Sequence, residues 1–260
     1  MFTSAISAIS DKSPIYAALS AIALLSMVSP VSAKTSDAQI VHKTSIMDYC
    51  HEDNQAKAPS YKHQSTQQRT LNFNCMVEQL QPYQQADKTA QQRYFAYKAQ
   101  AWLNYAIHQD SMNSRSSAGT VAIERAESLL QALETDTTQD IALHQDIPST
   151  SALMRPDLWA VLSALKDSDG IESAPREMAF SEVALIWAAT NQCIRGWRES
   201  AMHFRMADRW LEQAREAYVN THDSQPNVDF ETLTVSYYKK YVPLDPNDDV
   251  CRGQDLTSNS

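Results

Sequence analysis

FSEVALIWAATNQC, residues 180–193, decides the fold, because a variant of it occurs earlier in the chain. FAYKAQAWLNYAIH, residues 95–108, carries Phe, Ala and Trp at the same relative positions. Phe95, Ala99 and Trp102 match Phe180, Ala184 and Trp187 at an offset of 85 residues. Each stretch is followed by an A-x-x-x-L segment. Ala126 and Leu130 match Ala207 and Leu211 at an offset of 81, with Glu127 against Asp208. The difference falls in the connections, DSMNSRSSAG being longer than RGWRE. A small residue followed at helical spacing by an aromatic lets a second helix approach at the alanine while the ring fills the groove beside it. These ten residues are therefore read as core packing, and the recurrence as one packing unit built twice.

The expected fold is all-α, with two related, TPR-like antiparallel helical hairpins. Small residues where the two helices of a hairpin touch are a feature of such units. Ala207, Leu211 and Ala214 fit the second helix, although neither unit matches a full repeat of about 34 residues. Four glycines among 260 residues, against a usual share of about 7%, leave little room for left-handed turns or a phosphate-binding loop. From Gln84 to about Gln109 the apolar positions Tyr94, Phe95, Lys98 (by its stem), Ala99, Trp102, Tyr105 and Ala106 form one helical face. TVAIERAESLLQALE repeats the pattern at Ala122, Ala126, Leu129, Leu130 and Leu133. TDTTQDIALHQDIPST reads as a long loop. RPDLWAVLSALK opens with Pro156 near the first helical position, where a missing N–H costs nothing. Residues 177–195 and 198–218 read as a hairpin broken at Gly196, with a single bent helix as the alternative. Asp167-x-Asp169-Gly170 begins like a calcium loop, but Met178 stands where that loop needs Glu. The segment is read as a cap and turn.

The N-terminus reads as a targeting segment. SPIYAALSAIALLSMV is an apolar run, and Val31 and Ala33 precede the expected cleavage point, so residues 1–33 are assigned as signal peptide with Lys34 first in the mature chain. An uncleaved membrane anchor is the alternative. Residues 34–82 follow as an N-terminal segment with short helices (RTLNFNCMVEQL one of them), 83–220 as the helical repeat domain, and 221–260 as an irregular tail. Cys50, Cys75, Cys193 and Cys251 all lie after the apolar run. An even count in an oxidising compartment points to two disulfides, with Cys50–Cys75 and Cys193–Cys251 favoured. CxxC and HxxxH spacings are absent, which argues against zinc. A net charge of −9 argues against nucleic acid and anionic membrane surfaces as partners.

RPDLWAVLSALK followed by EVALIWA, GW and AREA resembles the helical region of gammaproteobacterial envelope proteins, in which such a region can precede an OmpA-type peptidoglycan-binding domain. The resemblance covers roughly residues 90–220. FETLTVSYYKKYVPLD is similar to the first strand leading into such a domain, but the rest of it, with its diaminopimelate-binding Asp and Arg, has no counterpart in the sequence given. The resemblance implies an envelope context and a scaffold or interaction role. It carries over no peptidoglycan-binding residues.

No catalytic constellation emerges from the residues. The seven histidines form no i,i+3 or i,i+4 pair, and G-x-S-x-G, HExxH and the P-loop are missing. Glu177 and Glu182 are expected on a solvated surface. One cluster invites a binding reading. Arg195, Trp197, Arg198, His203, Arg205 and Arg209 gather planar cations and rings in an acidic chain, a combination suited to carboxylate recognition. The expectation is a non-enzymatic, periplasmic or secreted scaffold without cofactor or metal, binding other envelope proteins. Peptidoglycan is a possible partner without a motif to support it. The alternative is a helical cell-wall hydrolase, which would need inward carboxylates in a cleft.

Overall fold

The computed structural model describes residues 66–112, 117–144, 154–195 and 197–241, with the side chains of 66–68, 194, 195 and 197 excepted. Among them are eight α-helices and no strand: α1 Thr66–Leu80, α2 Ala90–Ser111, α3 Ala118–Glu134, α4 Pro156–Asp167, α5 Gly170–Ser173, α6 Pro175–Arg195, α7 Trp197–Thr221 and α8 Ser224–Lys240. All belong to one compact unit within Thr44–Ser260. None is long and apolar enough to cross a membrane. The expected signal segment and its cleavage point lie outside the described residues.

Two consecutive helix pairs, α2 with α3 and α6 with α7, form the body, and the first helices of the pairs, α2 and α6, pack on each other. The resulting order is α3–α2–α6–α7. Helix α6 is the centre: it buries Met178, Val183, Leu185, Ile186 and Ala188, nearly its whole circumference, as a helix with neighbours on opposite sides must. Ala99, Ala126 and Ala207 have no exposed surface, Ala184 is 6% exposed, and Phe95, Trp102, Leu130 and Leu211 are buried beside them. Phe180 and Trp187 are partly buried against the same core. Thr89 starts α2 with a capping box: its hydroxyl accepts from the Gln92 N–H, and the Gln92 side chain accepts from the Thr89 N–H.

The domain is wider than residues 83–220. Helix α1 packs on α2, buries Phe73 and Leu80, and pairs Arg69 with Asp110 at 2.8 Å. The expected irregular tail is corrected over Ser224–Lys240, which is helix α8, packed chiefly on α4. That helix also overturns the likeness of FETLTVSYYKKY to a strand. Its Thr, Val and Tyr content favours strands locally, but Phe230, Leu233, Tyr237 and Tyr241 fall on one helical face against the core, and burial outweighs local preference. The expected loop after α3 holds a 3₁₀ turn at Thr138–Asp140, and DSDGIESAP holds the single turn of α5.

Scarce glycine is worked around rather than obeyed. Asp136, Arg155 and Asp169 take left-handed φ of 54°, 62° and 60°. Arg155 is steadied there by a fork onto Asp157 at 2.6–3.2 Å. Gly170 is required for a different reason: a Cβ there would sit 2.6 Å from the Leu165 carbonyl oxygen.

Candidate functional site

Glu182 corrects the sequence reading most sharply. It was expected in solvent, and its exposure is zero. Its Oε1 accepts from Lys166 Nζ at 2.7 Å and its Oε2 from Lys98 Nζ at 2.8 Å. The Tyr94 hydroxyl donates to the same Oε2, and Lys98 Nζ lies 3.4 Å from that hydroxyl. Lys166 also donates to the Leu143 carbonyl at 2.7 Å. One carboxylate thus ties α2, α4, α6 and the segment after α3. Glu177, the other acid expected at the surface, is half-buried.

Two ammoniums share one carboxylate, and the proton affinities follow from that count. Burial by itself pushes the Glu182 carboxyl up, but Lys166 and Lys98 outweigh it and hold it down at about 2. Lys98 has one attraction and two like-charge neighbours, Lys166 and, more weakly, Arg125. Burial lowers it, Glu182 raises it, Lys166 lowers it again, and it settles at about 8. Burial and the Glu182 charge drive the Tyr94 phenol well above its ordinary value, so it remains a donor. A carboxylate that holds no proton at neutral pH cannot serve as the general acid of a glycosidase, and Glu182 has no exposed surface.

The opening stretch ends in a second arrangement, a run of rings across α2, α6 and α7. Tyr105 stacks on Trp102 at 6.1 Å and on Trp187 at 4.4 Å. Trp187 stacks in turn on His203 at 4.1 Å, with His108 tilted against it at 5.0 Å. The two matched tryptophans therefore meet in one stack, as packing. His203 is 3% exposed. Burial, with His108 nearby, lowers it to about 4, against a smaller upward pull from Glu199, so its ring is neutral at pH 7. His203 consequently leaves the expected surface patch: two residues along a helix turn the side chain roughly 200°, away from Arg205.

A third cluster closes the far end. Asp167 pairs with His144 at 2.8 Å and accepts from the Tyr237 hydroxyl, while Tyr241 and Ser163 share a 2.6 Å hydrogen bond. Burial raises the Asp167 carboxyl, but the hydrogen bonds from His144 and Tyr237 take it below its ordinary value. Asp167 is thus engaged in tying α4 to α8. No group of three or more His, Cys, Asp or Glu side chains able to hold a metal occurs among the described residues.

What remains of the basic patch lies on the outer face of α7. Arg198, Arg205 and Arg209 are exposed, with Met202 52% and Met206 41% exposed between them. Spacings of 4, 7, 8 and 11 residues from Arg198 place all five on one stripe. The side chains of Arg195 and Trp197 lie outside the described residues. Further round the helix, Trp210 and Phe180 lie 5.3 Å apart, with the Arg176 guanidinium 5.2 Å from the Trp210 ring. Cys75 and Cys193 are each disulfide-bonded. Cys50 and Cys251, and with them the expected pairing, lie outside the described residues. No family model, curated protein or solved structure matches the chain.

Proposed function

We propose that this chain is a non-enzymatic interaction scaffold of the bacterial periplasm, built on two related TPR-like helix pairs and carrying its partner site on α7. The observation that carries the reading is the Arg198–Met202–Arg205–Met206–Arg209 stripe. Among the described residues its three guanidiniums make no ion pair. Planar donors of this kind recognise carboxylates, and methionine adapts to irregular apolar partners. The partner class is thus an envelope protein with an acidic, partly apolar surface. The apolar leader, the even cysteine count and the likeness of residues 90–220 to envelope helical regions support the compartment. The matched tryptophans, stacked through Tyr105 across α2 and α6, support the repeat.

The cell-wall hydrolase alternative needs an inward acid with a proton to give, and the inward Glu182 holds none at neutral pH. The test is capture from envelope extract by the mature chain and by its Arg198→Glu/Arg205→Glu/Arg209→Glu variant. Surface substitutions usually change stability by less than about 0.5 kcal/mol each, so the variant is expected to melt like wild type and lose the captured protein. Undiminished capture would remove α7 as the site. Release of soluble fragments from purified sacculi would revive the hydrolase.

A further inference from the structure

A different face of the molecule has no cover among the described elements. Helix α8 rests on α4 and touches α7 through Phe230 against Tyr218, and its opposite side carries exposed apolar residues among polar ones. Val228 is 59% exposed, Val235 52% and Tyr238 45%, three of the eight large apolar side chains exposed among the described residues. Asn227, Val228, Glu231, Thr232 and Val235 line a shallow concavity of about 420 Å³ along this side. Exposed valines on an amphipathic helix contribute nothing to the fold they leave uncovered.

The charges on α8 are segregated along its length. Asp223, Asp229 and Glu231 belong to the N-terminal half, and Lys239 and Lys240 to the last turn. Only an antiparallel neighbour of the same kind sets each end against its opposite, and it also opposes the two helix dipoles. We infer that a second copy of this chain docks here, α8 against α8, about a two-fold axis between Glu231 and Thr232. That axis places Val228 opposite Val235 of the second copy and Gln225 opposite Tyr238. It brings Lys239, on the same stripe as Val228 and Val235, beside Asp223. Glu231 comes to the axis with its charge already held by Arg215 of α7, so the two glutamates do not oppose docking. Asp223 caps α8 by position alone and makes no side-chain cap bond, which leaves its carboxylate for the neighbour. The contact is isologous, closes at two copies, and is independent of the partner site on α7.

One helix pair makes a small interface, below roughly 1,200 Å², and so a weak dimer with a Kd on the order of 10 µM. Sedimentation velocity of the full mature chain across that range is expected to show monomer passing to dimer. Val228→Glu is expected to weaken the dimer at least about tenfold by burying two unpaired carboxylates. Lys239→Glu alone and Asp223→Lys alone each set like charges together and abolish it, whereas an equimolar mixture of these two variants restores both opposite-sign contacts and the dimer. Circular dichroism melts of each variant separate lost docking from lost folding. A wild-type chain that stays monomeric well above 10 µM, through cover by a segment of its own or for any other reason, overturns the inference. So does a folded Val228→Glu variant that dimerises like wild type, or a mixture of the two folded charge variants that remains monomeric.

Discussion

Replacing Glu182 with Gln tests the buried network most severely. The substitution keeps shape and burial but removes the one negative charge between Lys98 and Lys166, leaving two ammoniums against a neutral amide and each other. Breaking a buried ion pair from one side costs roughly 3–5 kcal/mol. The carboxyl itself gives a second estimate. Its shift from an unfolded value of 4.5 to about 2 in the folded chain is worth on the order of 3 kcal/mol. For a domain of this size each kcal/mol moves the midpoint by about 2–4 °C, so Glu182→Gln is expected to melt about 10 °C below wild type at pH 7. The pH dependence identifies the cause. A carboxyl whose folded value is depressed stabilises fully above its unfolded value and loses that contribution as pH falls towards the folded one. Wild type is therefore expected to lose stability between about pH 4.5 and 2 through this group, and the variant to lack that limb. Melts followed by circular dichroism over that range are the assay. A triple replacement, Lys98→Met with Glu182→Leu and Lys166→Met, removes the charges together and is expected to recover most of the loss, since apolar substitutes for buried ion sets are often neutral or stabilising. A Glu182→Gln chain that melts within about 2 °C of wild type and keeps the acid limb would show that this carboxylate does not hold the network together.

Three further outcomes follow from the same geometry. Ala99→Trp and Ala184→Trp are both expected to lose about 1–3 kcal/mol or more by overpacking, and wild-type melts for both would show that these alanines do not sit between helices. Gly170→Ala drives a methyl into the Leu165 carbonyl and is expected to destabilise by at least about 1 kcal/mol, measurable as a lower urea midpoint at constant slope. His203 takes a proton at about 4 when folded and 6.5 when unfolded. The unfolded chain thus binds protons first, and stability is expected to fall as pH drops from 6.5 to 4; His203→Phe keeps the stack and should flatten that interval, while an unchanged slope would assign it to other groups.

The helices of the body were legible because each buries one face, and apolar spacing records that directly. Ala122, Ala126, Leu129, Leu130 and Leu133 show the rule on α3. The charged core was harder to see, although its signal was present. Lys98 lay on an apolar face and was allotted by its stem alone. Glu182 stands between Met178 and Leu185 on an apolar face too, but pairing needs three-dimensional knowledge that α2, α4 and α6 converge. His203 shares a face with Ala207, Leu211 and Ala214, and helical geometry alone separates it from Arg205 and Arg209. Helix α8 was missed because Thr, Val and Tyr favour a strand in isolation, and only docking on α4 decides otherwise. The α7 stripe emerged by subtraction, once His203 had moved inward.

We assign the buried charges to holding the fold and partner binding to α7. Capture from envelope extract, run in parallel at low temperature with wild type, Glu182→Gln and the Arg198→Glu/Arg205→Glu/Arg209→Glu chain, tests this assignment most directly. Glu182→Gln, folded below its lowered midpoint, is expected to retain the partner, whereas the arginine variant loses it with an unchanged melt. A folded Glu182→Gln chain that loses the partner, or an arginine variant that keeps it, would contradict the assignment.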